Sequence, residues 1–100
     1  MVNYIEFKGE KHPIRVSYKA MRLTKADLGR DFKSNDKAFD YEGAETLLFH
    51  AMKIGAKDAE KELTLERKQM VDVLDEGGNF HAFIEAYTSF FLSPHKGGDT

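Results

Sequence analysis

The chain has 100 residues, the usual size of one domain; 41% of them are apolar and 32% are charged. Its net charge of −2, with acids and bases interspersed, argues against nucleic-acid binding, and the absence of cysteine excludes disulfide and thiolate chemistry. The sequence has no apolar run near the ~20 residues of a membrane span and no signal-peptide pattern at its start, so we expect a cytoplasmic protein.

The first elements predicted are two strands that form a β-hairpin over residues 2–17. Residues 2–8 are rich in β-forming side chains, and residues 9–11 supply a turn that contains Gly9. In the second strand, Ile14 and Val16 alternate with Arg15. Pro13 has no N–H, which confines this strand to a sheet edge or makes Pro13 its first residue.

Four helices are predicted to follow the hairpin, at about 18–28, 41–54, 65–76 and 80–93. Each follows a residue that favours the N-cap position, and the first three end at glycine. The expected caps are Ser17, Asp40, Thr64 and Asn79, and the expected stops are Gly29, Gly55 and Gly77. The first helix has a capping-box pattern at 24–27, which predicts a break and restart near Thr24. Residues 30–39 are predicted to form a loop held by Phe32 and Phe39.

These elements predict an α+β fold, mainly α, in which an N-terminal β-hairpin precedes a compact bundle of about four helices. The predicted single domain spans residues 1–94, and residues 95–100 are predicted to form a flexible tail because Pro94 ends the last helix.

Catalytic and metal-binding patterns are absent from the sequence. The four histidines fall on four different predicted elements, and none is spaced for one helix face. We therefore expect no enzymatic activity, no metal and no cofactor. A small metal-dependent hydrolase that uses His50 or His81 is the less favoured alternative.

The last helix carries a continuous aromatic stripe that predicts a core face. The stripe consists of Phe80, Phe83, Ile84, Tyr87, Phe90 and Phe91. The opposite side, with Ala82, Ala86 and Ser89, has little charge, and Phe49 lies outside the apolar arc of its own helix. We expect these four residues to bind a protein partner or a second copy of the chain. On this interpretation, Ala86→Glu abolishes binding without loss of helix.

Taken in order, these segments resemble the tail assembly chaperones of long-tailed bacteriophages and prophages. The segment YIEFKGEKHPIRVSY at 4–18 is similar to their "G-K-x-Y-P-I-R-x-S" hairpin, and YEGAETLLFHAM at 41–52 to their central helix. The segments ELTLE at 62–66 and MVDVLDE at 70–76 resemble their "L-T-x-E-x-V-x-D-L-L-D-E" stretch, and residues 80–91 resemble their closing helix.

The resemblance implies a non-enzymatic chaperone in the cytoplasm of a bacterial host. Such proteins bind the tape-measure protein, the tail tube subunits or both during virion morphogenesis, and neither a nucleic acid nor a membrane is an expected partner. A homo-oligomer remains open. The main alternative is a generic protein-interaction adaptor or regulator.

Overall fold

Two antiparallel strands, β1 (Asn3–Phe7) and β2 (Glu10–Ile14), open the fold. The structure is a computed structural model that describes residues 3–32 and 39–92. Lys8 and Gly9 form the turn, both with positive φ (53° and 80°), which suits a two-residue hairpin loop. The predicted turn at 9–11 is thus too late in the chain, since Glu10 already pairs with Phe7. Pro13 pairs with Tyr4 in a two-stranded sheet, where every strand is an edge, as predicted.

In the described part of the chain, four α-helices follow the hairpin, which confirms the mainly α, α+β class. They are α1 (Tyr18–Leu28), α2 (Tyr41–Asp58), α3 (Met70–Asp75) and α4 (Asn79–Leu92), with a 3₁₀ turn at Arg67–Gln69 before α3. Two predicted caps are confirmed: Ser17 Oγ accepts a hydrogen bond from Ala20 N at 3.2 Å, and Asp40 Oδ1 accepts one from Gly43 N at 2.9 Å.

The first helix is continuous, contrary to the predicted break near Thr24. The Thr24 hydroxyl is buried and donates to the carbonyl oxygen of Ala20 at 2.7 Å. A threonine that bonds to the preceding turn in this way stays within a helix and does not start a new one. The predicted end of α1 is confirmed, because Gly29 caps it with φ of 74°.

The second helix continues past Gly55, so the predicted stop at this glycine is wrong. Gly55 is buried inside α2, and a Cβ atom there would overlap the backbone carbonyl of Pro13 in β2. At the same crossing, the N–H of Arg15 donates to the carbonyl oxygen of Ala51 at 3.0 Å. Gly55 therefore permits close packing of the hairpin on the helix and does not end the helix.

The region before α4 differs from the prediction at both of its caps. Thr64 does not cap a helix that starts at Leu65: the chain is irregular to Glu66, whose N–H donates to Gln69 Oε1 at 2.8 Å. Asn79 begins α4, and its side chain bonds to other elements. Its carboxamide accepts from Glu6 N (3.1 Å) and donates to Glu6 O (2.7 Å) and Val73 O (2.8 Å). This buried amide joins the hairpin to the end of α3.

The core lies between the hairpin and the helices, with α2 at its centre. Its fully buried large side chains come from β2 and all four helices, with Thr24 the one from α1; the apolar ones are Ile14, Leu47, Leu48, Met52, Met70, Val73 and Phe83. Phe32 is buried beside them, as predicted for one loop anchor, and Phe39 packs against the core while partly exposed. Residues 33–38 of the predicted loop, Ser93, and the predicted tail at 95–100 lie outside the described residues.

Candidate functional site

The four residues predicted to bind a partner do not form one exposed surface. Ala86 is 3% exposed and belongs to the core, while Ala82 and Phe49 are half-buried against it. Ser89 alone is exposed. Ala86→Glu would therefore bury a carboxylate in the core, and it does not isolate an effect on binding.

The orientation of α4 explains this difference. Its buried residues are Asn79, Phe83 and Ala86, which are spaced four and three apart along one helix face. Phe83 fills the core on this face and Ala86 packs beside it, while Ala82 lines a depression together with Tyr4 and Ile5 of β1. This orientation divides the aromatic stripe: Phe83 is fully buried, Ile84 and Tyr87 are half-buried against the core, and Phe80 and Phe91 are exposed, at 44% and 56%.

An open groove lies where the start of α2, α3 and the start of α4 meet, and we call it the apolar groove. Its volume is about 520 Å³. Most of its lining is apolar: Phe39, Tyr41, Ala44, Val71, Leu74 and Phe80. Tyr41 and Val71 are 72% and 52% exposed, so together with Phe80 three large apolar side chains in the groove lie open to solvent. Exposed apolar surface gathered in one concave place is typical of an interaction site.

The walls of the groove are fixed by packing on either side of it. Phe39 makes edge-to-face contacts with Tyr41 (centroids 5.3 Å apart) and with Phe80 (5.4 Å), which joins the start of α2 to the start of α4. On α3, Met70 and Val73 face the core at a spacing of three. Val71, the next residue after Met70, then points about 100° away, toward solvent.

Arg67 fastens the α3 wall to α2. Its guanidinium Nη2 and Nε donate to the hydroxyl of buried Thr46 at 2.9 and 3.1 Å, and Nη1 lies 3.3 Å from Glu45 Oε1. This wall is therefore anchored before any partner binds, which lowers the entropy cost of binding.

Among the described residues, the charges that line the groove are all negative. They are Glu45, Asp72 and Asp75, and no described lysine, arginine or histidine lines it. Glu45 is paired with Arg67, whereas Asp72 and Asp75 are exposed and form no ion pair with any described residue. The groove therefore combines an apolar floor with an acidic rim.

Two pKa shifts occur close to these elements. Burial raises the pKa of the Tyr87 hydroxyl above its ordinary value, because the phenolate is less well solvated beside Phe32 and Phe91. The side-chain hydrogen bond to Asp40 raises the pKa of Arg30; its guanidinium meets both carboxylate oxygens at 2.7 and 2.8 Å. This pair holds the N-terminus of α2, and neither residue lines the groove.

His50 forms a pair with Asp27 that links α1 to α2. Its Nε2 lies 2.7 Å from Asp27 Oδ2, while its Nδ1 is buried and has no hydrogen-bond partner among the described residues. A catalytic histidine in a triad needs its second nitrogen to face a nucleophile or substrate. Here that nitrogen is sealed, so the geometry gives the pair a structural role. Across 3–32 and 39–92, no three His, Asp or Glu side chains are close enough to hold a metal ion.

Helical spacing in the sequence did not reveal the groove. Tyr41 lies directly after a cap, and Val71 adjoins the core residue Met70, so both look like ordinary core positions in a helical pattern. The groove forms only in the tertiary structure, where Phe39, just before α2, meets Phe80 at the start of α4. These two residues are 41 positions apart in the chain.

Comparisons with protein-family models, with curated proteins and with solved structures find no match for this chain. In the described part of the chain, no helix has the length and apolar character that crossing a bilayer requires.

Proposed function

We propose that this chain is a non-enzymatic tail assembly chaperone that acts in the cytoplasm of a bacterial host. Its clients would be the tape-measure protein, the tail tube subunits or both. The observation that supports this proposal best is the apolar groove, where Tyr41, Val71 and Phe80 remain exposed beside an anchored wall. A chaperone of this kind needs a limited apolar surface on a soluble scaffold, so that it can cover apolar segments of its client.

The proposal predicts that a long helical tape-measure protein is encoded beside this chain's gene. The experiment that tests it is co-expression of the two proteins, followed by affinity capture and titration. The informative variant is Tyr41→Gln with Val71→Gln, which removes two exposed apolar side chains from the groove. Each contributes about 1.5 kcal/mol when buried by a partner, so we expect client affinity to fall by about a hundredfold.

The chain offers a matched control on α1. Tyr18 is 68% exposed and, like Tyr41 at 72%, is the first residue of a helix after a side-chain cap. Leu23 is also exposed on α1. The control variant Tyr18→Gln with Leu23→Gln therefore changes the same kinds of side chain outside the groove, and it should bind the client as the wild type does.

Three results would count against the proposal. Failure of the neighbouring tape-measure and tube proteins to bind would reject the tail-assembly role and favour the adaptor alternative. Equal loss of binding in both double variants would reject the groove as the contact. Turnover of a substrate by the purified chain would reject the non-enzymatic role.

A further inference from the structure

The α3 wall of the apolar groove carries two parallel rows of side chains, one apolar and one acidic. Val71 and Leu74 are three residues apart, and so are Asp72 and Asp75. Residues three apart are neighbours within each row, and Val71 and Asp75, four apart, are neighbours across the two rows, so the acidic row lies beside the apolar row.

The acidic row is available to a partner. Asp72 and Asp75 are exposed and have no ion pair among the described residues. Lys68, the cation nearest in the chain, pairs with Glu66, and Arg67 is engaged by Glu45 and Thr46. A ligand that entered the groove would therefore meet uncompensated negative charge on one side of its apolar contacts.

The backbone of the groove favours a helical occupant over a strand. Its walls are the helices α2, α3 and α4, whose central N–H and C=O groups are bonded within each helix. A strand binds by adding to an exposed sheet edge, whereas a helix binds in a groove through side chains alone.

We propose that the apolar groove binds an amphipathic helix of the client protein that carries lysine or arginine beside its apolar stripe. The apolar side chains, at i, i+3, i+4 and i+7, enter the groove, and the cations beside them lie over Asp72 and Asp75. The inference rests on the proposed function only for the identity of the client; the chemistry of the bound segment follows from the groove.

The test uses two synthetic helical peptides of about 18 residues with leucine at i, i+3, i+4 and i+7. One peptide has lysine at the flanking positions and the other has glutamate there. Fluorescence anisotropy with a labelled peptide should show the lysine peptide binding the wild type at least about tenfold more tightly than the glutamate peptide at low salt, with the difference shrinking as salt is added.

The decisive variant is Asp72→Lys with Asp75→Lys, which should reverse the preference so that the glutamate peptide binds more tightly. The matched control is Glu10→Lys with Glu62→Lys, two exposed acids that do not line the groove. Each replacement adds two charge units, so both double variants move the net charge from −2 to +2. The control should keep the wild-type preference, which separates local from overall charge.

Equal binding of the two peptides, binding of neither, or an unchanged preference in Asp72→Lys/Asp75→Lys would overturn the inference. So would a dimer, seen by light scattering and dissociated by Tyr41→Gln/Val71→Gln, because a second copy would then occupy the groove.

The inference and the proposed function fail in different ways. If the neighbouring tape-measure protein binds equally well to wild type and to Asp72→Lys/Asp75→Lys, the inference is wrong and the proposed function stands. If the lysine peptide binds as expected and neither tail protein binds, the proposed function is wrong and the inference stands.

Discussion

Gly55 lies in the interior of α2, where the backbone of β2 crosses the helix. A Cβ atom at this position would overlap the carbonyl oxygen of Pro13, lie 2.6 Å from its carbonyl carbon and lie 3.0 Å from the Cα atom of Ile14. These are backbone atoms that a rotamer change cannot move, so Gly55→Ala must push the hairpin away from the helix.

The expected loss of stability can be estimated from three terms. Overpacking costs about 1–3 kcal/mol, and moving the hairpin weakens the Arg15–Ala51 backbone hydrogen bond, worth about 1 kcal/mol. Alanine gains about 1 kcal/mol over glycine in helix propensity, which opposes these losses. The free energy of unfolding of Gly55→Ala should therefore fall by about 2 kcal/mol, and Tm by about 8–16 °C for a domain of this size.

Urea unfolding followed by far-ultraviolet circular dichroism measures this change, provided that the m value is unchanged. The control is Gly78→Ala, because a Cβ atom at Gly78 meets nothing within 4 Å and its φ is not positive. That variant should be as stable as the wild type, or more stable by at most about 1 kcal/mol, because alanine makes the unfolded chain less flexible. If Gly55→Ala proved as stable as Gly78→Ala, the close hairpin–helix contact would be refuted.

Two further predictions concern the side chains that join the helices. Asp27→Ala leaves Nε2 of buried His50 without its partner and should lower the free energy of unfolding by about 1–2 kcal/mol. Urea titration should show a smaller loss for Asp31→Ala, which breaks only an exposed ion pair. Equal losses in the two variants would contradict the structural role of His50. The raised pKa of Tyr87 means that the folded chain holds the phenolic proton more tightly than the unfolded chain. The contribution of this proton to the free energy of unfolding is therefore fully present below about pH 10 and is lost as the pH rises through the folded pKa. Unfolding measured from neutral pH to about pH 11 should therefore show a smaller alkaline loss in Tyr87→Phe than in the wild type, and parallel curves would refute the burial effect.

Local sequence signals were sufficient for the elements themselves. The hairpin, the number of helices, and the caps at Ser17, Asp40 and Gly29 follow from turn residues, helical periodicity and side chains that bond to a nearby backbone group. These interactions join residues only a few positions apart, so the sequence contains nearly all that decides them.

The functions of Gly55 and Asn79 could not be read locally, because each serves a contact with a distant segment. Gly55 looks like a helix stop and Asn79 like a helix cap. In the structure, Gly55 meets the hairpin at Pro13, and Asn79 bonds to Glu6, which is 73 positions away. The residue types indicated that the backbone or side chain at these positions has a structural role, but they did not identify the distant segment that each residue contacts.

The candidate site depended most on the tertiary structure. The sequence by itself determined that α4 has an aromatic side and a small side, and that the chain has apolar residues beyond a minimal core. Only the packing decided that the buried face combines Ala86 from the small side with Phe83 from the aromatic side, and that Phe80 joins Tyr41 and Val71 at an open groove. The physical reason is that a helix with two weakly polar faces buries the arc that fits its neighbours most closely, and this arc depends on the shape of the hairpin and α3.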